Sequence, residues 1–144
     1  MACRRVTLTP CAGKASFPVI FAARLSSPLC PSSAVSDLDQ IHRDYRRSLP
    51  HKRDALRRAW EALCAENVSL EQVAQMQLLL HRLAGSAGTY GHERIAALAR
   101  SLEQDWVAWK AVAEGARPPP YQVCARQAGT MAELLAAILE SSDT

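Results

Sequence analysis

The stretch LLLHRLAGSAGTYG, residues 78–91, decides how the rest of the sequence is interpreted. Three leucines come first, as in a buried helix face, and His81 is then followed by a run of residues with very small side chains. Three of these are glycines, and a glycine inside a helix costs about 1 kcal/mol relative to alanine. The small residues therefore indicate that something outside the helix has to approach this histidine closely.

The apolar residues around His81 recur at helical spacing, which predicts an amphipathic helix through this stretch. Ser69 followed by Gln72 predicts a capping box at its start, because each side chain can bond the other residue's backbone N–H. Gly88 and Gly91 are expected to loosen and end the helix. Its predicted buried seam consists of Val73, Met76, Leu80, Leu83, Ala87 and Tyr90.

Helical patterns also cover the rest of the chain from Ser36 onward, and no segment alternates like a strand. Ser36 is expected to cap a first helix, which Ser48 and Pro50 interrupt, because proline is tolerated in a first turn but not inside a helix. We predict an all-α fold, an antiparallel four-helix bundle with an additional N-terminal capping helix packed across it. The other positions expected to be buried are Leu38, Ile41, Tyr45 and Leu49 in the first helix; Leu56, Trp60 and Leu63 in the second, which runs to about Ala65; Ile95, Leu98, Leu102, Trp106, Trp109 and Ala113 in the fourth, from about His92 to Glu114; and Tyr121, Cys124, Ala128, Met131, Leu135 and Ile138 in the last.

Charge is distributed unevenly along the 144 residues, although the net charge is only +3. All 14 acidic residues lie at or after Asp37, and the remainder of the chain from that point carries 13 basic residues. A nearly neutral domain is not a general nucleic-acid binder. No apolar run approaches the roughly 20 residues that a membrane-spanning helix needs. Binding to nucleic acid or insertion into a membrane is therefore not expected.

The first 35 residues differ in composition from the rest. They contain four prolines, several serines and no helical period, so residues 1–35 are predicted to be a disordered extension and residues 36–144 the folded domain. No CxxC pair occurs, which argues against a zinc site, and no metal ligands are predicted. Cys64 and Cys124 fall on apolar helical positions and are expected to be buried in the core of the protein, which is expected to reside in the reducing cytoplasm.

Helix geometry places His81 beside an unusually bare surface. The residues three, four and seven positions further along, which share its side of the helix, are Ala84, Gly85 and Gly88. A structural histidine does not require such small neighbours, but one that attacks a phosphoryl group does. The reacting atoms must approach within about 3–3.5 Å. Ala84, Gly85 and Gly88 are therefore predicted to give a partner protein access to the ring.

The segment from His81 to Gly91 resembles the signature of histidine-containing phosphotransfer (HPt) domains, roughly H-x-L-K-G-[SA]-[SA]-x-x-x-G. The Leu102-Glu103 pair resembles the L-E pair on the family's next helix, and the resemblance covers about residues 36–140. It implies a four-helix bundle with a phosphoaccepting histidine and no kinase activity of its own. It also implies that Mg²⁺ belongs to the partner receiver domain only, so that this chain needs no cofactor.

The resemblance further implies specific roles and partners. His81 would accept a phosphoryl group and return it, with response-regulator receiver domains and a hybrid histidine kinase as partners, in a cytoplasmic monomer. Glu103 matches the position that orients the ring, although an exposed helix carboxylate is the plain alternative. The family commonly has lysine where this sequence has Ala84. Arg82 could supply the missing charge, but it lies about 100° around the helix from His81.

Two other functions stay open at this point. The chain could be an HPt-like adaptor that binds a receiver or kinase without being phosphorylated, and the missing lysine favours that alternative. It could also be a small DNA-binding regulator, because the segment 43–58 holds seven basic residues. The neutral domain and the lack of helix-turn-helix spacing argue against DNA binding.

Overall fold

Four helices joined by short connections make up the fold. The computed structural model describes residues 32–65 and 67–143, with side chains from residue 36 onward, and this part of the chain contains no strand. The helices are α1 (Ser32–Leu63), α2 (Leu70–Thr89), α3 (Glu93–Ala111) and α4 (Pro120–Ser142), with a 3₁₀ turn at Glu114–Ala116. Each helix contacts its two neighbours in the order α1, α2, α3, α4 and back to α1. The predicted all-α four-helix bundle is thus confirmed.

The helix that carries His81 follows its predicted pattern closely. Ser69 caps α2 by accepting the Gln72 backbone N–H at 3.2 Å, and the Gln72 side chain accepts the Ser69 N–H at 2.8 Å. The seam from Val73 to Ala87 is buried as expected, and Tyr90 is half-buried against the core. Gly91 adopts a φ of 77°, which ends the helix in a conformation that glycine adopts without strain.

The predicted capping helix is instead the first half of α1, which begins at Ser32 and continues through Pro50. Tyr45, Leu49, Leu56 and Leu63 share one buried face of this helix on both sides of the proline. Burial of this continuous face offsets the hydrogen bond that Pro50 cannot make. The expected break at Pro50 and the Ser36 cap were therefore wrong. Residues 1–31 of the predicted extension lie outside the described residues.

The first turns of α1 do not fold across the bundle. Leu38 and Ile41 were expected to be buried, but they are 58% and 46% exposed. Burial on α1 begins at Tyr45, where the aromatic ring stacks on Tyr90 with 4.2 Å between centroids. A separate capping helix would have turned Leu38 and Ile41 inward, which a continuous helix does not allow.

The end of α3 was placed too late by the sequence analysis. The helix ends at Ala111 rather than at Glu114, and Ala113 is exposed rather than buried. The reason is a cluster around Arg117, whose guanidinium donates to the backbone carbonyls of Lys110 and Val112. Trp109 also donates from its indole nitrogen to the Pro118 carbonyl at 2.6 Å. These bonds satisfy the last turn of α3 and direct the chain toward α4.

The buried face of α4 differs in part from the prediction. Tyr121 and Ala128 are exposed, whereas Cys124, Met131 and Ile138 are buried as expected and Leu135 is half-buried. Gln127 lies in the core because its amide donates to the Leu102 carbonyl and to the Asp105 carboxylate. A polar residue whose side chain bonds to another helix cannot be recognised as buried from an apolar pattern. The other buried residues of α4 are Val123, Leu134 and Ala137.

The two cysteines of the domain lie next to each other in different environments. Cys124 is buried, whereas Cys64 is exposed just beyond the end of α1, so its predicted burial was wrong. Burial, together with a hydrogen bond to the Cys64 side chain, raises the pKa of Cys124 to about 12. No group of histidines, cysteines and carboxylates that could hold a metal ion occurs within residues 32–65 and 67–143. Within the same ranges, no helix has both the length and the apolarity to cross a membrane.

Replacing Pro50 with alanine tests the continuity of α1. Proline inside a helix costs about 3 kcal/mol, and the unfolded state of the alanine variant regains up to about 1 kcal/mol of entropy. We expect Pro50→Ala to raise the free energy of unfolding by about 2 kcal/mol, measured by urea denaturation. The neighbouring exposed variant His51→Ala should change it by less than about 0.5 kcal/mol. A less stable Pro50→Ala protein would contradict a continuous helix.

Candidate functional site

His81 lies on the solvent-exposed side of α2, next to residues that are fully buried. Its side chain is 73% exposed, whereas Leu80 and Leu83 belong to the core. A ring in this position contributes little to packing, so its place in the sequence is not explained by the core. The exposed imidazole is instead available to a molecule that approaches α2 from outside.

Glu103 on α3 holds one side of the imidazole. His81 Nδ1 and Glu103 Oε1 are 2.9 Å apart, and the Glu103 side chain is only 22% exposed. An ionised carboxylate can only accept hydrogen bonds, so the Nδ1 atom has to be the donor. In the neutral ring, Nε2 then carries the lone pair and faces away from Glu103. The alternative of an unengaged surface carboxylate does not fit this geometry.

The bare surface beside His81 is formed by glycine rather than by alanine. A Cβ atom built on Gly85, one turn beyond the histidine, would meet no other atom within 4 Å. Gly88 lies against α3, where its Cβ would make ordinary contacts with Ala96 and with the Arg100 guanidinium. Ala84 is 4% exposed and belongs to the core. The structure therefore places Gly85 on the open side of α2, Gly88 against α3 and Ala84 in the core.

Arg82 is directed away from the pair formed by His81 and Glu103. It lines a cavity of about 380 Å³ between α1 and α2, together with His51 and Lys52. The remaining lining is mostly apolar, and burial lowers the pKa of Lys52. The rotation of about 100° per residue explains why Arg82 faces α1 while His81 faces α3. The structure thus does not bring Arg82 to the ring that it was predicted to support.

The glycine-containing segment of α2 stays helical because neighbouring side chains support it. Ser86 bonds the Tyr45 hydroxyl at 3.2 Å and donates to the Leu83 carbonyl, and Thr89 donates to the Gly85 carbonyl. Burial raises the pKa of Tyr45, which keeps its hydroxyl protonated. The segment beside His81 is therefore a fixed surface despite its composition.

Sequence reasoning missed a second pair of residues near the histidine. Lys110 Nζ donates to Gln77 Oε1 at 2.9 Å, and Gln77 lies one turn before His81 on α2. Leu78 and Val107, on the same two helices, are large exposed apolar residues. The antiparallel pairing of α2 and α3 could have pointed to these residues. Once His81 is set opposite Glu103, Gln77 falls opposite the last turns of α3.

These features define a class of protein, a four-helix bundle with an exposed histidine in mid-helix whose ring is held by a carboxylate from the next helix. The Hpt domain family model matches residues 40–141, which is more than half of the chain. The chain therefore belongs to the Hpt domain family, as its resemblance predicted. Comparisons with curated proteins and with solved structures gave no match. Domains of this family are phosphocarrier modules that serve phosphorelays without kinase activity of their own.

The hydrogen bond to Glu103 predicts how its variants behave. Glu103→Ala should let the ring proton exchange between both nitrogens and slow phosphotransfer by about tenfold or more, the factor that a charge-assisted hydrogen bond supplies. Glu103→Gln can still accept from Nδ1 and should retain part of the activity. The ¹⁵N chemical shifts of His81 report the tautomer. The control is Glu133→Ala, which removes an exposed carboxylate on α4. Unchanged tautomer and rate in Glu103→Ala would exclude an orienting role.

The open surface at Gly85 predicts that stability and transfer change in opposite directions. Gly85→Gln should keep most of the roughly 1 kcal/mol that alanine would gain there, since the site is helical and uncrowded, while its side chain obstructs the approach to His81. Gly129→Gln is a matched control, because Gly129 is an equally uncrowded helical glycine on α4. Thermal melts and phosphotransfer rates should show a gain in stability for both variants but a loss of transfer only for Gly85→Gln. Wild-type transfer in Gly85→Gln would contradict a role in access.

Proposed function

We propose that this protein carries a phosphoryl group on Nε2 of His81 between the aspartates of receiver domains. The observation that supports this most strongly is the 2.9 Å hydrogen bond from Nδ1 to Glu103, which fixes the proton on one nitrogen. The other nitrogen keeps a lone pair, and it belongs to a side chain that is 73% exposed. This is the arrangement of an oriented nucleophile.

The proposed step breaks one P–O bond and forms one P–N bond. The Nε2 lone pair attacks the phosphorus of an aspartyl phosphate, and the aspartate leaves as a carboxylate. The ring, which keeps its proton on Nδ1, then carries positive charge that the Glu103 carboxylate stabilises across the hydrogen bond. The reverse step returns the phosphoryl group to the aspartate of another receiver.

The residues at the site indicate what this chain and the receiver each contribute to the transfer. In-line transfer depends on positioning and on charge stabilisation rather than on further covalent chemistry. The chain offers position through Glu103 and access through Gly85, whereas the Mg²⁺ ion would belong to the receiver. A hybrid histidine kinase, which carries such a receiver, would be the source of the phosphoryl group.

An adaptor function is the competing proposal, favoured by one observation. Position 84 carries a buried alanine, and Arg82 faces α1, so neither of these positions provides a cation beside the ring. An adaptor would bind a receiver through the same surface without accepting phosphate. The two functions differ in a measurable property, which is the presence of phosphate on His81.

Replacing His81 with glutamine separates the two functions. The wild-type protein should acquire acid-labile, base-stable phosphate when it is incubated with a panel of phosphorylated receivers from the host. His81→Gln should acquire none, and His51→Gln, which changes an exposed histidine on α1, should behave like the wild type. The melting temperature of His81→Gln should stay nearly unchanged because the ring is mostly exposed. Binding of receivers without any phosphorylation of the wild type would establish the adaptor instead.

A further inference from the structure

We propose that Lys110 provides the positive charge that stabilises the phosphoryl group on His81. This inference rests on the proposed function and adds to it a residue from the far end of α3. In the unphosphorylated protein the Lys110 ammonium bonds the Gln77 side-chain oxygen at 2.9 Å. On phosphorylation it moves from this neutral amide to a phosphoryl oxygen.

Phosphorylation creates a demand for a cation at this site. A phosphoryl group brings close to two negative charges at neutral pH. Its position on Nε2 also lies near the Glu103 carboxylate, which is itself negative. The positive charge of the ring offsets only part of this negative charge, so a nearby cation would lower the free energy of the phosphorylated state and favour acceptance.

Arg82, Arg100 and Lys110 are the candidate cations among the described residues, and the directions of their side chains distinguish them. Arg82 faces the cavity beside α1. Arg100 extends beside Gly88 toward Glu93, with 3.9 Å between its guanidinium and that carboxylate. Gly88 lies seven residues from His81, or about 10 Å along α2. Lys110, in contrast, reaches α2 at Gln77, only four residues and about 6 Å along the helix from His81.

The tilt of helical side chains brings Lys110 and His81 toward each other. Side chains on a helix lean toward its N-terminus. The two helices are antiparallel, so Lys110 leans back along α3 toward the level of Glu103, and His81 leans along α2 toward Gln77. Arg100 leans in the same direction along α3, but it starts on the N-terminal side of Glu103, so it leans away from His81 and toward Glu93, which matches its observed contact. The geometry thus converges on Lys110.

The surroundings of Lys110 keep its charge available while fixing its backbone. Its carbonyl accepts from Arg117, which also bonds Val112 and lies over the Trp109 ring with 4.8 Å to the centroid. Its ammonium makes no ion pair within 4.0 Å in the described part of the chain. A neutral amide holds the ammonium without cancelling its charge, and the flexible four-carbon stem allows it to move.

The test uses the full-length protein phosphorylated with potassium phosphoramidate, a small donor that requires no receiver. The half-life of phosphohistidine should fall by about threefold in Lys110→Gln, the size expected for a solvent-exposed charge contact. Lys110→Arg should restore it, and Arg100→Gln should match the wild type. The ³¹P resonance of the phosphohistidine should also shift in Lys110→Gln, which a purely structural role would not cause. Melting temperatures of the unphosphorylated variants control for folding.

The outcomes separate this inference from the proposed function. His81→Gln provides the blank for phosphate on other residues. A wild-type protein that takes up no phosphate on His81 from either phosphoramidate or receivers would overturn the proposed function. A phosphorylated wild type whose half-life and ³¹P resonance are unchanged in Lys110→Gln would overturn the role of Lys110 alone. An equal loss in Lys110→Gln and Arg100→Gln would also overturn it, because it would indicate a general field of positive charge.

Discussion

The site depends on the hydrogen bond between His81 and Glu103. This bond requires that α2 and α3 pack with these two residues at the same level. It fixes the ring proton, sets the direction of the exposed nitrogen and joins the two helices at one level. Gln77 then falls within reach of Lys110, and Gly88 falls against α3. A shift of either helix by one residue would rotate these side chains by about 100° and separate them.

Two opposite requirements meet on α2. One face is a dense apolar seam, and the other presents a histidine beside glycines that lower helix stability. The bonds of Tyr45 to Ser86 and of Thr89 to the Gly85 carbonyl show how the chain reconciles them. Support comes from α1 and from the local backbone, so the outer surface stays bare without losing its shape. The site is therefore open and also fixed in position.

Much of the fold could be predicted from the sequence because it depends on local periodicity, whereas the pairing of Glu103 with His81 was implied by the resemblance to HPt domains. The α2 seam, its capping box at Ser69 and the bare surface beside His81 all follow from spacing. The continuity of α1 through Pro50 could not be predicted, because long-range burial on both sides of the proline outweighs its local preference. The buried Gln127 and the reach of Lys110 to α2 depend on contacts between helices, which a single-helix pattern does not contain.

The arrangement of the helices in a ring has a consequence for how the site assembles. His81 and Glu103 belong to consecutive helices joined by a three-residue turn that includes Gly91. In the described part of the chain, the pairing of α1 with α4 is the one that spans the whole domain, and it involves neither residue. The segment between His81 and Glu103 is short, so the entropic cost of bringing these two residues together is small. The chemistry of the domain is therefore encoded in a helical hairpin with low contact order, while the most distant parts of the chain serve to complete the core around it.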